Sequence, residues 1–189
     1  MDALLLHTCC GPCSTVAVPA LRERGFEPVA LFTNPNIQPL GELARRQEAL
    51  RQYAAGAALD LVVQPEPGFD VWMRELGAAV DGSADERCRL CLRLRLSSAA
   101  RTAAERDLRL FSTTLSVSPY QRHDLIAVEG RRAGGEMGVE FVYVDLRDRY
   151  RESIEASRRL GLYRQRYCGC VPSMWEAWND RLSQRRRAG

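Results

Sequence analysis

Short apolar runs alternate with stretches of helical periodicity along most of this chain. Because a strand–helix–strand order places helices on both faces of a parallel sheet, the pattern predicts an α/β fold, a three-layer sandwich with a helical C-terminal part. Strands are predicted over 3–7, 28–33, 59–63, 108–113 and 139–144. Helices are predicted over 15–24 with Ser14 as the cap, 40–55, 69–79, 86–105, 122–132, 150–160 and 174–186.

The size of the chain favours one domain. Its 189 residues, 46% of them hydrophobic, are enough to bury a core, so we expect a single domain over 1–189 that ends in a basic tail, 178–189. No apolar run approaches the ~20 residues of a membrane helix, and residues 1–6 carry no export signal. The expected location is therefore the cytoplasm, where thiols stay reduced.

Cysteines occur in three tight clusters, and there are seven in all. A Cys-x-x-Cys spacing lets two thiolates reach one metal from a single turn of backbone, and several such clusters together can enclose zinc or an iron–sulfur cluster. All seven are therefore predicted metal ligands: Cys9, Cys10, Cys13, Cys88, Cys91, Cys168 and Cys170.

Other uses of the cysteines account for fewer of them. An odd count without an export signal disfavours a secreted disulfide framework. A structural zinc ion would use four thiolates and leave three unexplained. A thioredoxin-like dithiol of Cys10 and Cys13 would leave five outside the pair. A redox metal site is the interpretation we favour.

The chain contains no lysine, so its basic residues other than two histidines are arginines. Schiff-base chemistry on lysine is thereby excluded, and guanidinium groups suit phosphates and base edges. Arginines concentrate near the middle cysteines and in the tail, which is compatible with nucleic-acid binding but is also typical of a solvated face. They are Arg87, Arg89, Arg93, Arg95, Arg181, Arg185, Arg186 and Arg187.

Polar residues follow the predicted strands where ligands of parallel sheets bind. The first strand leads to Cys9, Cys10 and Cys13, and the fourth to hydroxyl groups that either hold a ligand or cap a turn. His7, beside these cysteines, is expected to brace the site by hydrogen bonding and not to ligate metal.

Several sequence strings carry a family resemblance: LLHTCCGPC at 5–13, NPNI at 34–37, RCxxC at 87–91, FSTTL at 111–115, SPY at 118–120, and GLYRQ at 161–165 running into YCGC at 167–170. In this order, over about nine tenths of the chain, they resemble the cobalamin-independent epoxyqueuosine reductases of the QueH type. The resemblance implies a Rossmann-like fold similar to the adenine-nucleotide hydrolase (HUP) group. It also implies reduction of epoxyqueuosine to queuosine at the tRNA wobble base.

The same resemblance implies the cofactors and partners. The implied cofactors are a 4Fe-4S cluster and a second, mononuclear metal ion, which we expect to be iron. The implied partners are the tRNA anticodon stem-loop carrying epoxyqueuosine and an external electron donor. Neither ATP nor a membrane is expected to take part. Cys88 and Cys91 are expected to hold the cluster, with one of Cys9 and Cys10 and one of Cys168 and Cys170. Adjacent side chains diverge in extended backbone, so Cys9 and Cys10 are expected to serve different metals, or only one to face the first. In the resembling family, some members carry aspartate at the position of Cys13, which implies a second-metal ligand.

Substrate and proton-donor residues are assigned from their side-chain chemistry and from their place near the strand ends and the motifs. Amide, hydroxyl and guanidinium groups suit a deazaguanine edge or a phosphate, and they predict substrate binding by Asn34, Asn36, Ser112, Thr113, Thr114, Arg164 and Gln165. Candidate catalytic residues are Tyr120, Asp145 and Tyr163, while His123 is more typical of a structural histidine.

Two rival functions remain at this stage. A tRNA thiolase-like ATP pyrophosphatase shares the α/β frame, but Cys-Cys-Gly-Pro-Cys offers one glycine where a phosphate loop needs several, and Pro12 removes an amide donor. A non-catalytic iron–sulfur redox or iron sensor would carry the same cysteines without a nucleoside pocket.

Overall fold

A parallel five-stranded sheet forms the centre of the protein. The computed structural model describes residues 1–64, 68–77 and 82–188, with side chains to 184. The strand order is β3-β2-β1-β4-β5, and every neighbouring pair is parallel. The predicted α/β class and five strands are confirmed. The strands are β1 (Asp2–Thr8), β2 (Phe26–Phe32), β3 (Leu61–Val63), β4 (Leu110–Thr113) and β5 (Glu140–Phe141).

Seven α-helices lie in the described part of the chain, where no helix is long and apolar enough to cross a membrane. They are α1 (Gly11–Arg22), α2 (Leu40–Gly56), α3 (Phe69–Gly77), α4 (Ala84–Glu105), α5 (His123–Met137), α6 (Tyr150–Arg159) and α7 (Val171–Ala188). Residues 78–79 of one predicted helix lie outside the described residues. Helix α7 continues through most of the predicted basic tail to Ala188. Two short 3-10 helices, Thr114–Val117 and Arg147–Arg149, were not predicted.

The helices form two layers around the sheet. Alternate residues of β1 face opposite sides: Leu5 packs with α4 and α5, whereas Leu4 and Leu6 pack with α1 and α2. The central strands β1, β2 and β4 are buried on both faces, as expected for a parallel sheet, whereas the edge strands β3 and β5 are partly exposed. This rigid frame fixes the ends of β1 and β4, where the cysteines begin.

The start of α1 differs from prediction. Ser14 does not cap it, since the helix begins at Gly11 with Cys10 at the cap position. The Ser14 hydroxyl instead donates to the Cys10 carbonyl at 3.0 Å from within the helix. Pro12 is favourable in a first helical turn because it has no N–H to satisfy and a fixed φ. The earlier start places Cys10 and Cys13 together at the N-terminal end of α1.

Close packing at the end of α5 gives a stability prediction. A Cβ atom added to Gly134 would lie 2.5 Å from the Val139 carbonyl oxygen, while one added to the adjacent Gly135 would meet nothing within 4 Å. We expect Gly134→Ala to destabilise the fold by about 1–3 kcal/mol through overpacking. Gly135→Ala, the matched control, should stabilise it by about 0.5–1 kcal/mol through helix propensity. Urea unfolding measures both, and equal effects would contradict the packing.

Candidate metal centre and active site

The cysteines meet where the strand order reverses. The chain adds β2 and β3 on one side of β1, then crosses to add β4 and β5 on the other. In open parallel sheets the crevice beyond the carboxyl ends at such a reversal is where ligands bind. Here Cys9 and Cys10 follow β1, and Thr114 follows β4. These residues lie at the edge of the sheet where they were predicted, and their role in a site stays a prediction.

Cys9, Cys10 and Cys13, which we call the buried trio, form one compact group. Their Sγ atoms all lie within 4.8 Å of one another, and those of Cys9 and Cys10 are 3.6 Å apart. The expected divergence of Cys9 and Cys10 is therefore wrong. It assumed extended backbone through both residues, whereas only Cys10 is extended and the chain bends at Cys9, between the end of β1 at Thr8 and the start of α1 at Gly11. The turn between them brings the two thiols to the same side.

Protons are unevenly held in the buried trio. Hydrogen bonds from the thiols of Cys10 and Cys13 lower the pKa of Cys9 well below its usual value, against the effect of burial. Hydrogen bonds to Cys10 and Cys9, together with burial, raise the pKa of Cys13 well above its usual value. One thiol of the trio thus ionises readily, and its negative charge disfavours ionisation of the next. A metal cation would remove this repulsion, because thiolates are its ligands.

The other four cysteines, which we call the cavity group, surround a separate space. Cys88 and Cys91, three residues apart on α4, and Cys168 and Cys170, in the loop before α7, all line one cavity of about 420 Å³. They do not form a close group like the buried trio. A single zinc ion, with Zn–S bonds of about 2.3 Å, needs sulfur atoms in near contact. Four thiols around a cavity fit a larger inorganic cluster better.

Cys88 and Cys91 of the cavity group also resist ionisation without a metal. Burial raises the pKa of Cys88 to about 11 and that of Cys91 to about 12, and the charges of Cys168 and Cys170 add to both effects. Four thiolates around one cavity would repel one another. Their convergence is therefore chemically consistent with a cationic iron–sulfur core as their shared partner.

A buried ion pair on α2 holds the loop of Cys168 and Cys170. Arg46 donates to the carbonyl oxygens of Tyr167 and Cys168 at 2.9 and 2.8 Å, and to Glu42 Oε1 at 2.8 Å. Both charged side chains are 1% exposed. The guanidinium thus fixes the backbone that presents one side of the cavity group.

His7 braces the end of β1, as predicted. It is fully buried, and its Nε2–H donates to the Thr33 carbonyl at 3.2 Å, so its Nδ1 accepts from the Thr113 hydroxyl at 2.8 Å. Burial, with the positive charge of Arg95, lowers the pKa of His7 to about 3. The imidazole is neutral near pH 7 and ties β1 to β2 and β4.

The predicted hydroxyl residues at the end of β4 form hydrogen bonds within the protein. Ser112 donates to the Val142 carbonyl at 2.7 Å, and Thr113 is bonded to His7. Thr114 lies closest to the thiols, with its hydroxyl oxygen 3.3 Å from Cys9 N and 3.6 Å from Cys9 Sγ. Substrate binding by these three residues stays a prediction.

Amide side chains lie against the cysteines. Asn34 donates to the Thr8 carbonyl at 2.8 Å and is buried, while Gln165 Nε2 donates to Cys10 Sγ at 3.1 Å. Among the described residues, Asn36 has no hydrogen-bond partner for either amide atom although it is fully buried. Arg164 is exposed. Their roles toward the substrate stay predictions.

The three candidate catalytic residues occupy different environments. Tyr120 is exposed, lines the cavity and packs edge-on against Tyr150 at 5.8 Å between ring centroids. The Tyr163 hydroxyl donates to Oε2 of the buried Glu42 on α2 at 2.5 Å, so its proton is already used in a hydrogen bond within the protein. Hydrogen bonds from Arg147 lower the pKa of Asp145 to about 2. Asp145 carries no proton near pH 7 and is unsuited to act as a general acid.

His123 is structural in the described geometry. Its Nε2 donates to the Ser118 carbonyl at 2.9 Å, and its Nδ1 accepts from the Tyr143 hydroxyl at 2.7 Å. Both nitrogens are thus used by the protein.

Four residues of the site were not assigned from the sequence: Arg95, Trp72, Gln121 and Tyr150. Arg95 and Trp72 are buried and line the cavity of the cavity group, and Gln121 donates to Cys168 Sγ at 3.4 Å. The spacing of residues in the sequence could have identified Arg95. It follows Cys88 and Cys91 at positions i+7 and i+4, on the same face of α4.

Comparisons with known proteins identify one family. The family described as epoxyqueuosine reductase QueH matches residues 4–176. A protein named epoxyqueuosine reductase QueH in Dehalococcoides mccartyi is 38% identical, over 92% of this chain and 93% of the relative. One of the same name in Thermotoga maritima is 32% identical, over 100% of this chain and 99% of the relative.

A solved structure shares the fold alone. It is titled as a predicted subunit of tRNA methyltransferase from Methanocaldococcus jannaschii. The match covers 82% of this chain and 74% of that protein, with a TM-score of 0.54 and 10% sequence identity. The fold, the seven converging cysteines and the similarity along almost the whole sequence lead to one assignment. The chain belongs to the epoxyqueuosine reductase QueH family.

Proposed function

We propose that this protein is an epoxyqueuosine reductase that acts on tRNA in the cytoplasm. The reaction converts the epoxide, two electrons and two protons into the alkene of queuosine and one water, and it consumes no ATP. Electrons come from an external donor. The observation that carries the proposal is the division of the seven cysteines into two neighbouring groups at the sheet reversal, in a chain of this family.

Each cysteine group suits a different metal centre. The cavity group would hold a 4Fe-4S cluster, since four thiols surround a space and buried N–H donors without partners, Trp72 Nε1 and Arg95 Nε, line it. The buried trio would hold a mononuclear metal, iron by our proposal, because its three sulfur atoms already lie within 4.8 Å of one another. When bound, the cluster supplies electrons singly and the mononuclear metal supplies Lewis acidity.

The residues of the chain itself position the nucleoside. Tyr120 offers an exposed aromatic face at the cavity, suited to stacking on a base turned out of the anticodon loop. Gln165, bonded to Cys10, has a buried Oε1 without a partner in the described residues and can accept from the base or ribose. Burial raises the pKa of Tyr150, so its hydroxyl stays protonated beside Tyr120.

Exposed arginines next to the last cysteines fit phosphate contacts. Arg164 and Arg166 flank Gln165 and are both exposed. Replacing each by alanine should weaken tRNA binding and reduce the slope of log affinity against log salt by about 0.7–0.9. Arg106→Ala, an exposed arginine near the opposite edge of the sheet, is the control and should change neither. Filter binding over a salt series measures the slope. Equal slopes in all variants would place the tRNA elsewhere.

Turnover tests the function itself. Anaerobically reconstituted protein is incubated with dithionite and tRNA containing epoxyqueuosine, and digested nucleosides are analysed by mass spectrometry. We expect epoxyqueuosine to disappear as queuosine forms. A protein fully loaded with iron and sulfide that leaves epoxyqueuosine unchanged would argue for a sensor.

A further inference from the structure

Two arginines are almost completely buried, and they differ in how their charge is balanced. Arg46 is 1% exposed and is paired with Glu42 at 2.8 Å. Arg95 is 2% exposed, and no salt bridge to it exists within residues 1–64, 68–77 and 82–184. A buried charge without a counter-charge is strongly unfavourable. The negative partner of Arg95 must therefore come from something other than a carboxylate of these residues.

The surroundings of Arg95 identify that partner as sulfur. One guanidinium nitrogen donates to Asn34 Oδ1 at 2.8 Å, while Nε is buried without a partner in the described residues. The side chain lines the cavity with the cavity group. Burial raises the pKa of Cys91, and the positive charge of Arg95 acts in the opposite direction, favouring its thiolate.

Trp72 presents a second unpaired donor to the same cavity. It is 5% exposed, and its Nε1 has no hydrogen-bond partner in the described residues. An indole N–H can only donate. The indole N–H lowers the pKa of Cys91, against the larger effect of burial, although the two groups form no hydrogen bond of normal geometry. A buried donor left unpaired by the described residues implies an acceptor outside them.

We propose that Arg95 and Trp72 donate hydrogen bonds to sulfur of the metal centre held by Cys88, Cys91, Cys168 and Cys170, and that the Arg95 charge stabilises its reduced form. The inference rests on the proposed function, because it requires a redox-active centre at the cavity group. Reduction adds one electron from the external donor and makes the centre one charge more negative. A nearby cation and N–H donors favour the more negative state and so raise the reduction potential.

A redox titration of the full, reconstituted chain tests this proposal. At the potential where the wild-type centre is half reduced, the ratio of reduced to oxidised centre should fall about tenfold in Arg95→Gln, which corresponds to a potential about 59 mV lower. Arg95→Lys keeps the charge and should recover most of the ratio. Trp72→Phe keeps the ring and removes the N–H, and should lower the ratio roughly threefold. Electron paramagnetic resonance of the reduced centre is the readout.

Arg93→Gln is the matched control, because it removes the same charge from an exposed position two residues away on α4. It should leave the ratio within about twofold of wild type. If Arg95→Gln binds no iron, Trp72→Phe decides, and an unchanged ratio there overturns the proposal. Identical titrations of wild type, Arg95→Gln and Trp72→Phe overturn it while leaving the metal centre intact. Wild-type protein that binds no iron would instead refute the proposed centre and this inference with it.

Discussion

Queuosine formation should fall by more than about 100-fold in both Cys91→Ala and Cys13→Ala. Each change removes a proposed metal ligand, and the loss of even an indirect partner of a ligand costs about 10–100-fold. The two residues belong to different groups, so the proposal requires both groups for turnover. Mass spectrometry of digested tRNA measures the product formed by each variant.

Thr102→Ala controls for general damage to α4. Thr102 lies on the same helix as Cys91, and its hydroxyl donates only to the Ser98 carbonyl, at 3.0 Å. This variant should keep wild-type turnover. Full activity in Cys13→Ala would show that the buried trio is dispensable and would contradict the two-centre proposal.

Breaking the buried ion pair on α2 should produce the second large effect. Glu42→Gln leaves the Arg46 charge buried without its partner, which costs about 3–5 kcal/mol. For a chain of this size that corresponds to a fall in Tm of roughly 6–20 °C. The loop of Cys168 and Cys170 depends on Arg46, so retention of the iron–sulfur cluster should fall as well. Thermal unfolding and iron analysis measure the two consequences.

The matched control is an exposed pair with the same helical spacing. Asp70 and Arg74 on α3 are 78% and 73% exposed, and Asp70→Asn should cost less than about 1 kcal/mol. Burial opposes ionisation of Glu42, but hydrogen bonds from Tyr163, Arg46 and Arg45 outweigh it and lower its pKa. The stabilisation is therefore present above the unfolded pKa of about 4.3 and is lost as pH falls through the folded value. The stability difference between wild type and Glu42→Gln should shrink on acidification below about pH 4, and a constant difference would contradict this.

Local patterns predicted the frame of the fold. The apolar runs of β1 and β2 are buried on both faces, so their strand character and parallel pairing are visible in the sequence. The spacing of Cys88 and Cys91 places both on one face of α4. The bracing role of His7 was also predictable, since it lies one residue before the end of a buried strand, next to the cysteines.

The division of the cysteines depends on long-range contacts and was not predictable. Arg46, more than 100 positions earlier, helps to hold the loop that brings Cys168 and Cys170 to the cavity of Cys88 and Cys91. The Glu42–Arg46 spacing is typical of an exposed helical pair, and its burial follows from the loop that covers it. The burial of Arg95 was not predictable, because it belongs to a series of arginines that is typical of a solvated helix face.

Iron and sulfide analysis tests most directly the claim that the seven cysteines form two separate metal centres. Reconstituted wild-type protein should contain about five iron atoms and about four acid-labile sulfides per chain. Cys13→Ala should retain about four of each, because only the mononuclear ion is lost, whereas Cys91→Ala should lose most of the sulfide. If Cys13→Ala loses its sulfide together with its iron, the buried trio belongs to the cluster and the two-centre account is wrong.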